Sequence, residues 1–149
     1  MHIEGSYEFE AEQQLVWDTV QDTDVLASII PGSQGLDQIE PNKFYTLINV
    51  KVGPVNGKFE ATIELVDVNE PHDYKLLIEG KGTAGHVTGE GLIRLEHTDG
   101  MTTLFYAGDA KVGGKIAAVG QRLLDVASKQ IAKQSLKKLA KQIQEKIES

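Results

Sequence analysis

Apolar and polar residues alternate at the start of the chain. Ile3, Gly5, Tyr7 and Phe9 interleave with Glu4, Ser6, Glu8 and Glu10, the period-two signature of a strand with one wet face. The period then changes. Over residues 11–20, Leu15, Val16, Thr19 and Val20 fall near one face of a short helix, and residues 24–30 read as a second, ended by Pro31-Gly32. Between residues 36 and 112 alternation returns, cut by turn signals at Pro41-Asn42, at 54–57, 71–73 and 82–85, and at Asp99-Gly100. This pattern predicts about six strands. Asp99-Gly100 is the strongest hairpin signal, because both residues tolerate positive φ.

The last stretch, from residue 114 or 115 to 147, predicts one long helix. Leu136, Leu139, Ile143 and Ile147 mark one apolar stripe, and Val119, Leu123 and Val126 a second that is out of phase with it. Either the helix bends or its halves pack against different things. Strand, two short helices, a run of strands and a terminal helix make a segregated α+β order, not an alternating one. A curved sheet has to cover its apolar face, and only the terminal helix is long enough to do so. The expected architecture is a helix-grip fold: a seven-stranded curved antiparallel sheet around the C-terminal helix, with two short helices after the first strand. A chain of 149 residues fits a single domain, 1–149.

Alternation also predicts which side chains face the helix. Tyr74, Leu76, Ile78, Gly80 and Gly82 form one inward set; Gly85, Val87, Gly89, Gly91, Ile93 and Leu95 a second; Leu104, Tyr106, Gly108, Ala110 and Val112 a third. Glycines at 80, 82, 89, 91 and 108 therefore gather on the inner face of neighbouring strands. Two explanations fit them: kinks that let the sheet bend around a helix, or room for something to approach the backbone.

Charge is uneven. The net charge of −7 hides a body of residues 1–110 with 6 Lys+Arg against 19 Asp+Glu, and a tail of residues 111–149 with 9 against 3. So acidic a body would repel phosphates, which argues against nucleic acid as a partner. In the tail, Lys129, Lys133, Lys137 and Lys141 step by four and form a basic stripe. Such a stripe is a solvated face or a docking face for an anionic membrane or an acidic partner. The N-terminus lacks the basic and apolar regions of a signal peptide, and no apolar run approaches a bilayer span. A soluble, cytoplasmic protein is expected.

Chemistry is sparse. The chain has no cysteine, which excludes disulfides, thiolate metal sites and cysteine nucleophiles. His2, His72, His86 and His97 form no HxH or HExxH pair, so no metal site is expected. Ser33, in Pro31-Gly32-Ser33-Gln34-Gly35, lacks the spacing of a nucleophile elbow and reads as a turn. Gly80-x-Gly82-x-x-Gly85 has dinucleotide-binding spacing but opens no helix, so it reads as a hairpin. Gly113-Gly114-Lys115 falls short of a P-loop, with Ile116 where a hydroxyl would ligate magnesium; close backbone approach between the last strand and the helix explains it. Trp17, the only tryptophan, belongs to the core or to a cavity wall.

Several segments resemble one known family: Ile30-Pro31-Gly32; Val50-Lys51-Val52-Gly53-Pro54-Val55 with Phe59; Thr103-Leu104-Phe105-Tyr106; and above all residues 112–117 (VGGKIA) with 120–124 (GQRLL). Together they look like the CoxG family of carbon monoxide dehydrogenase subunits, within the polyketide cyclase/START-like (SRPBCC) superfamily. The resemblance implies the helix-grip fold and a cavity for apolar ligands. It also implies an accessory role beside molybdenum-containing carbon monoxide dehydrogenases and related hydroxylases, in membrane recruitment or in carrying a quinone. Family members often carry cysteines flanking the I-P-G motif, where this chain has Ile29 and Ser33. Many also continue into an apolar tail, where this sequence ends at Ser149.

The reading is a non-enzymatic binder of a quinone or other lipid, with no cofactor of its own, held between the sheet and the front half of the long helix. Ile30, Phe59, Ile63, Tyr106, Gly108, Val119 and Leu123 are the expected wall, with the Tyr106 hydroxyl as hydrogen-bond donor to a quinone carbonyl. A molybdenum dehydrogenase is the expected protein partner, and any membrane contact is peripheral, at the inner surface, through the basic helix. The alternative is a docking module with a closed cavity. A cyclase or hydrolase on this fold would need an acid–base constellation that the sequence does not display.

Overall fold

The computed structural model describes residues 1–149. Strand β1 (His2–Phe9) leads into helices α1 (Gln13–Gln21) and α2 (Thr23–Ile29). Six strands follow: β2 (Asp37–Glu40), β3 (Lys43–Val52), β4 (Val55–Asn69), β5 (Asp73–Gly82), β6 (Gly85–Thr98) and β7 (Met101–Gly113). A 3₁₀ turn at Ala117–Val119 then precedes helix α3 (Gln121–Glu148). The strands make one antiparallel sheet in the order β1-β7-β6-β5-β4-β3-β2. Thus β2 to β7 form a meander and β1 closes back onto β7, the seven-stranded helix-grip architecture expected.

Local chemistry sets the boundaries. Asp99 (φ 51°) and Gly100 (φ 78°) both take positive φ in the tight β6–β7 turn, as a two-residue hairpin requires. The Asp22 carboxylate accepts from the backbone N–H groups of Asp24 and Val25 at 3.0 and 3.4 Å and caps α2. The glycine cluster at 80–85 is the β5–β6 hairpin. Gly113-Gly114 is a close approach, since a Cβ on Gly114 would lie 2.6 Å from the Gly85 Cα.

The terminal helix differs from expectation in two ways. It begins at Gln121, because Gly120 takes φ 96°, outside the helical region, so Val119 belongs to the preceding 3₁₀ turn. The stripe of Leu123 and Val126 faces outward, with 42% and 49% of each residue exposed, whereas Leu124 is 9% exposed and faces the sheet. The two stripes lie on different faces of the helix.

Burial is divided between two clusters. The larger, at one end of the groove, joins Phe9, Val16, Trp17, Val20 and Val25 to Phe44, Leu65, Tyr74, Leu95, Leu104, Leu139 and Ile143. The smaller, at the other end, holds Val52, Phe59, Ala84, Ile116 and Leu124. On α3, between Leu124 and Leu139, the half-buried residues other than Asp125 and Leu136 are Ala127, Ser128, Ala132 and Ser135. Small side chains leave the space beneath the helix unfilled along this stretch, and the two cores do not merge. No helix is long and apolar enough to cross a membrane.

Candidate ligand cavity

Beside the larger core, under α3, lies a cavity of about 280 Å³, and 17 of its 18 lining residues are hydrophobic. Its floor comes from the sheet: Phe44 on β3, Ile63 and Leu65 on β4, Tyr74, Leu76 and Ile78 on β5, Ile93 on β6, Leu104 and Tyr106 on β7. Its roof is Ala132, Ser135, Leu136 and Leu139 of α3, and one wall is Val20, Leu26, Ile29, Ile30 and Leu36. No Asp, Glu, His, Lys or Arg lines it. A second apolar space of about 220 Å³ adjoins it, sharing Leu76, Ile78, Ile93 and Tyr106 and continuing over Gly89, Gly91 and Gly108.

Strand register explains the second space. Leu76, Gly91, Gly108 and Ile3 pair into one cross-strand row, and Ile78, Gly89 and Ala110 into the next. A Cβ on Gly91 would meet only the Ala107 carbonyl oxygen within 4 Å, and one on Gly108 only the Glu90 carbonyl oxygen and the Gly91 Cα. Nothing from the helix covers them. The other two inward glycines are different: a Cβ on Gly80 would sit 3.9 Å from the Phe59 ring, and one on Gly82 would collide with the Lys58 carbonyl. Room and close backbone approach therefore both account for the glycines, at different positions.

Of the residues expected to form the wall, the structure brings Ile30, Ile63 and Tyr106 together around the first cavity, and Gly108 joins Tyr106 around the second. Phe59 and Val119 sit in the smaller core. Leu123 lies outside, its Cδ1 3.2 Å from where a Cβ on Gly53 would be. The Tyr106 ring lies across β1, with its hydroxyl 2.5 Å from the position a Gly5 Cβ would take; it shields an edge glycine. The expected wall left out Tyr74 and Leu136, although alternation placed Tyr74 inward and Leu136 marked the apolar stripe, and it passed over Ser135 altogether. A run of Ala and Ser on the inward face of a long helix was the available signal.

The segment after α2 is pinned to β3. Asn49 donates to the Gly32 carbonyl at 3.0 Å and Gln34 to the Leu47 carbonyl at 2.9 Å. The Ser33 and Thr46 hydroxyls lie 2.8 Å apart, and Thr46 Oγ1 also donates to the Gly35 carbonyl. Ser33 is thus a structural hydroxyl, and the segment holds Ile30 and Leu36 at the cavity wall. Trp17 is core, 1% exposed, with its indole N–H donating to Glu70 at 3.2 Å. Its ring meets Tyr74 edge-on, 5.5 Å between centroids. Burial pushes the Tyr74 phenol above its ordinary pKa, because the anion would lose its hydration there.

Comparison with known proteins follows the same outline. The family model for CoxG, a carbon monoxide dehydrogenase subunit, matches residues 5–144. The chain belongs to the CoxG family. The CoxG match takes in every residue lining the first cavity, from Val20 to Leu139. Among solved structures, a conserved protein from Geobacillus kaustophilus superimposes with a TM-score of 0.93 at 36% identity, over 97% of this chain and 96% of that one. The ZhuI aromatase/cyclase from Streptomyces sp. R1128 has a TM-score of 0.70 at 16% identity, covering 99% and 95%. A START superfamily protein from Mycobacterium smegmatis has 0.72 at 12%, covering 97% of both. The last two show that the CoxG chain shares the START-like fold. No curated protein matches the sequence. No cluster of three or more His, Asp or Glu side chains is arranged to hold a metal ion.

Proposed function

We propose that the protein is a non-enzymatic carrier of an apolar molecule, an isoprenoid quinone or other lipid. It serves a molybdenum-containing carbon monoxide dehydrogenase or a related hydroxylase. The observation that carries this reading is the cavity of about 280 Å³ with a single non-hydrophobic residue in its wall. Such a lining suits an apolar ligand and offers nothing to a charged one. It also presents no carboxylate or imidazole for proton transfer, which supports a carrier over a catalyst. The CoxG family name supplies the dehydrogenase.

Native mass spectrometry of protein purified from its own host, followed by solvent extraction, tests the reading. A stoichiometric quinone or lipid is expected. Gly108→Phe, which projects a ring into the second space, should reduce uptake while leaving the fold intact. Clean apo-protein that also takes up no added quinone or lipid would refute the carrier.

A second reading, a docking module, rests on the outer face of α3. Leu123, Val126 and Ile131 are exposed there among Arg122, Lys129 and Lys133. Such a surface suits an acidic protein or an anionic membrane. Its association should weaken as salt rises; binding indifferent to ionic strength would refute it.

A further inference from the structure

We infer that the cavity selects a neutral apolar molecule carrying a hydrogen-bond acceptor oxygen, such as a ring carbonyl or an ester, and that Tyr74 is the residue that recognises it. The inference rests on the carrier reading and specifies the ligand's chemistry. Tyr74 is 4% exposed and lines the cavity. The side-chain hydrogen bonds of this region satisfy Trp17 through Glu70 and Gln13 through the Pro71 carbonyl; none involves the Tyr74 hydroxyl. Yet that hydroxyl is not among the sealed, unpartnered atoms, of which Gln21 Nε2 is the one instance. The hydroxyl is thus unpaired on a buried ring that lines the cavity, which leaves it free to donate to a ligand held there.

Three ligand classes then separate on physical grounds. A pure hydrocarbon fills the space but leaves the hydroxyl unpaired, a loss relative to water. A fatty-acid anion finds an acceptor's partner in Tyr74 but no cation anywhere in the wall, so its desolvation is not offset. A neutral molecule with one oxygen acceptor loses neither. Tyr74 remains a donor throughout, because burial holds its proton above the ordinary phenol range. The Ser135 hydroxyl on the facing helix offers a second donor to a ligand with two carbonyls. Tyr106 does not compete, since its hydroxyl lies over Gly5.

The test compares 2-methyl-1,4-naphthoquinone with 2-methylnaphthalene, which has the same ring skeleton without the oxygens, by isothermal titration calorimetry on the full chain. Dodecanoate and its methyl ester form a second pair. The chain has no cysteine, so the naphthoquinone has no thiol to alkylate. Trp17, edge-on to Tyr74, gives an independent quenching signal for the quinone. Wild type should prefer the quinone to the hydrocarbon and the ester to the acid. Tyr74→Phe should weaken the quinone roughly three- to tenfold, the worth of one neutral hydrogen bond, and leave the hydrocarbon unchanged. The ratio of the two affinities within one variant is insensitive to partial unfolding, and a melting curve confirms that the variant folds. An unchanged ratio in Tyr74→Phe, or dodecanoate binding as tightly as its ester, would overturn the inference while leaving the carrier intact. Failure of every probe to bind wild type would overturn both.

Discussion

Ser135→Leu asks whether the space under α3 is real. In a well-packed core, adding bulk strains the surroundings and costs about 1–3 kcal/mol. Here Ser135 faces a cavity of about 280 Å³, and its hydroxyl has no hydrogen bond to lose. Exchanging that hydroxyl for an isopropyl group adds three carbons, at about 0.8 kcal/mol per buried methylene. Ordering the leucine side chain costs about 0.5–1 kcal/mol, and its better helix propensity returns a few tenths. The expected net is a stabilisation of about 1.5–2 kcal/mol, a rise in Tm of about 3–8 °C for a chain of this size. Urea denaturation followed by circular dichroism, on protein stripped of lipid by solvent extraction, measures it. The same variant should bind the naphthoquinone more weakly, so stability and binding move in opposite directions. Destabilisation with unaltered binding would refute the placement of the cavity.

Two further outcomes follow from groups outside the cavity. Thr102 is fully buried, and its hydroxyl donates to the Ala11 carbonyl at 2.7 Å while lying 2.9 Å from His97 Nδ1, which places the His97 proton on Nδ1. Thr102→Val should cost about 1–3 kcal/mol by leaving that carbonyl unpaired, as urea denaturation will show; a neutral effect would count against the bond. The hydrogen bond from the exposed His2 imidazole to Asp109, at 2.7 Å, and a longer contact to Glu4 raise the His2 pKa above 6.5. Because the folded value is the higher one, its small contribution is complete below about 6.5 and is lost as pH rises through the folded value. An NMR titration should show the raised value and its fall in Asp109→Asn; no change in that variant would contradict the assignment.

The fold was legible because each element carries its own period. Alternation marked β1, Asp99-Gly100 marked the β6–β7 turn, and the order of elements left only the terminal helix to cover the sheet. The site was legible in part, for a reason of phase. Side chains on a strand have two directions to choose between, so Tyr106 and Gly108 were placed inward from alternation alone. On a helix only one stripe can face the sheet, and the Leu136-to-Ile147 stripe takes that side, while Gly120 leaves Val119 outside the helix. Leu123 and Val126 therefore face solvent, and Leu124, which faces the sheet, joins the smaller core and not the cavity. The cavity's roof escaped because it is made by Ala132 and Ser135, whose contribution is the volume they do not fill. Tyr74 escaped as an anchor for a different reason: an unpaired hydroxyl is a property of its surroundings, and nothing in the residues beside it announces it.

The size of the cavity leads to a last prediction. At about 24 cal/mol per Å³, keeping the whole space of about 280 Å³ closed and dry without a ligand would cost at most on the order of 6–7 kcal/mol. Total stability for a domain is about 5–15 kcal/mol. So large a fraction means that the stripped protein is less stable than the loaded one, or that the space opens to water or α3 settles toward the sheet when the ligand leaves. Each case makes ligand release an event felt along the Ala132 to Leu139 stretch of α3 that roofs the space. Solvent extraction should therefore lower Tm, and adding a neutral carbonyl-bearing ligand should restore it in proportion to the logarithm of its concentration, about 2.7 kcal/mol at one hundred times Kd. Hydrogen exchange should locate the difference in α3 between Leu124 and Leu139 and in the segment from Ile30 to Leu36. A stripped protein with the Tm and exchange pattern of the loaded one would mean that the space is neither empty nor filled in the way its lining implies, and that the two cores are joined in solution.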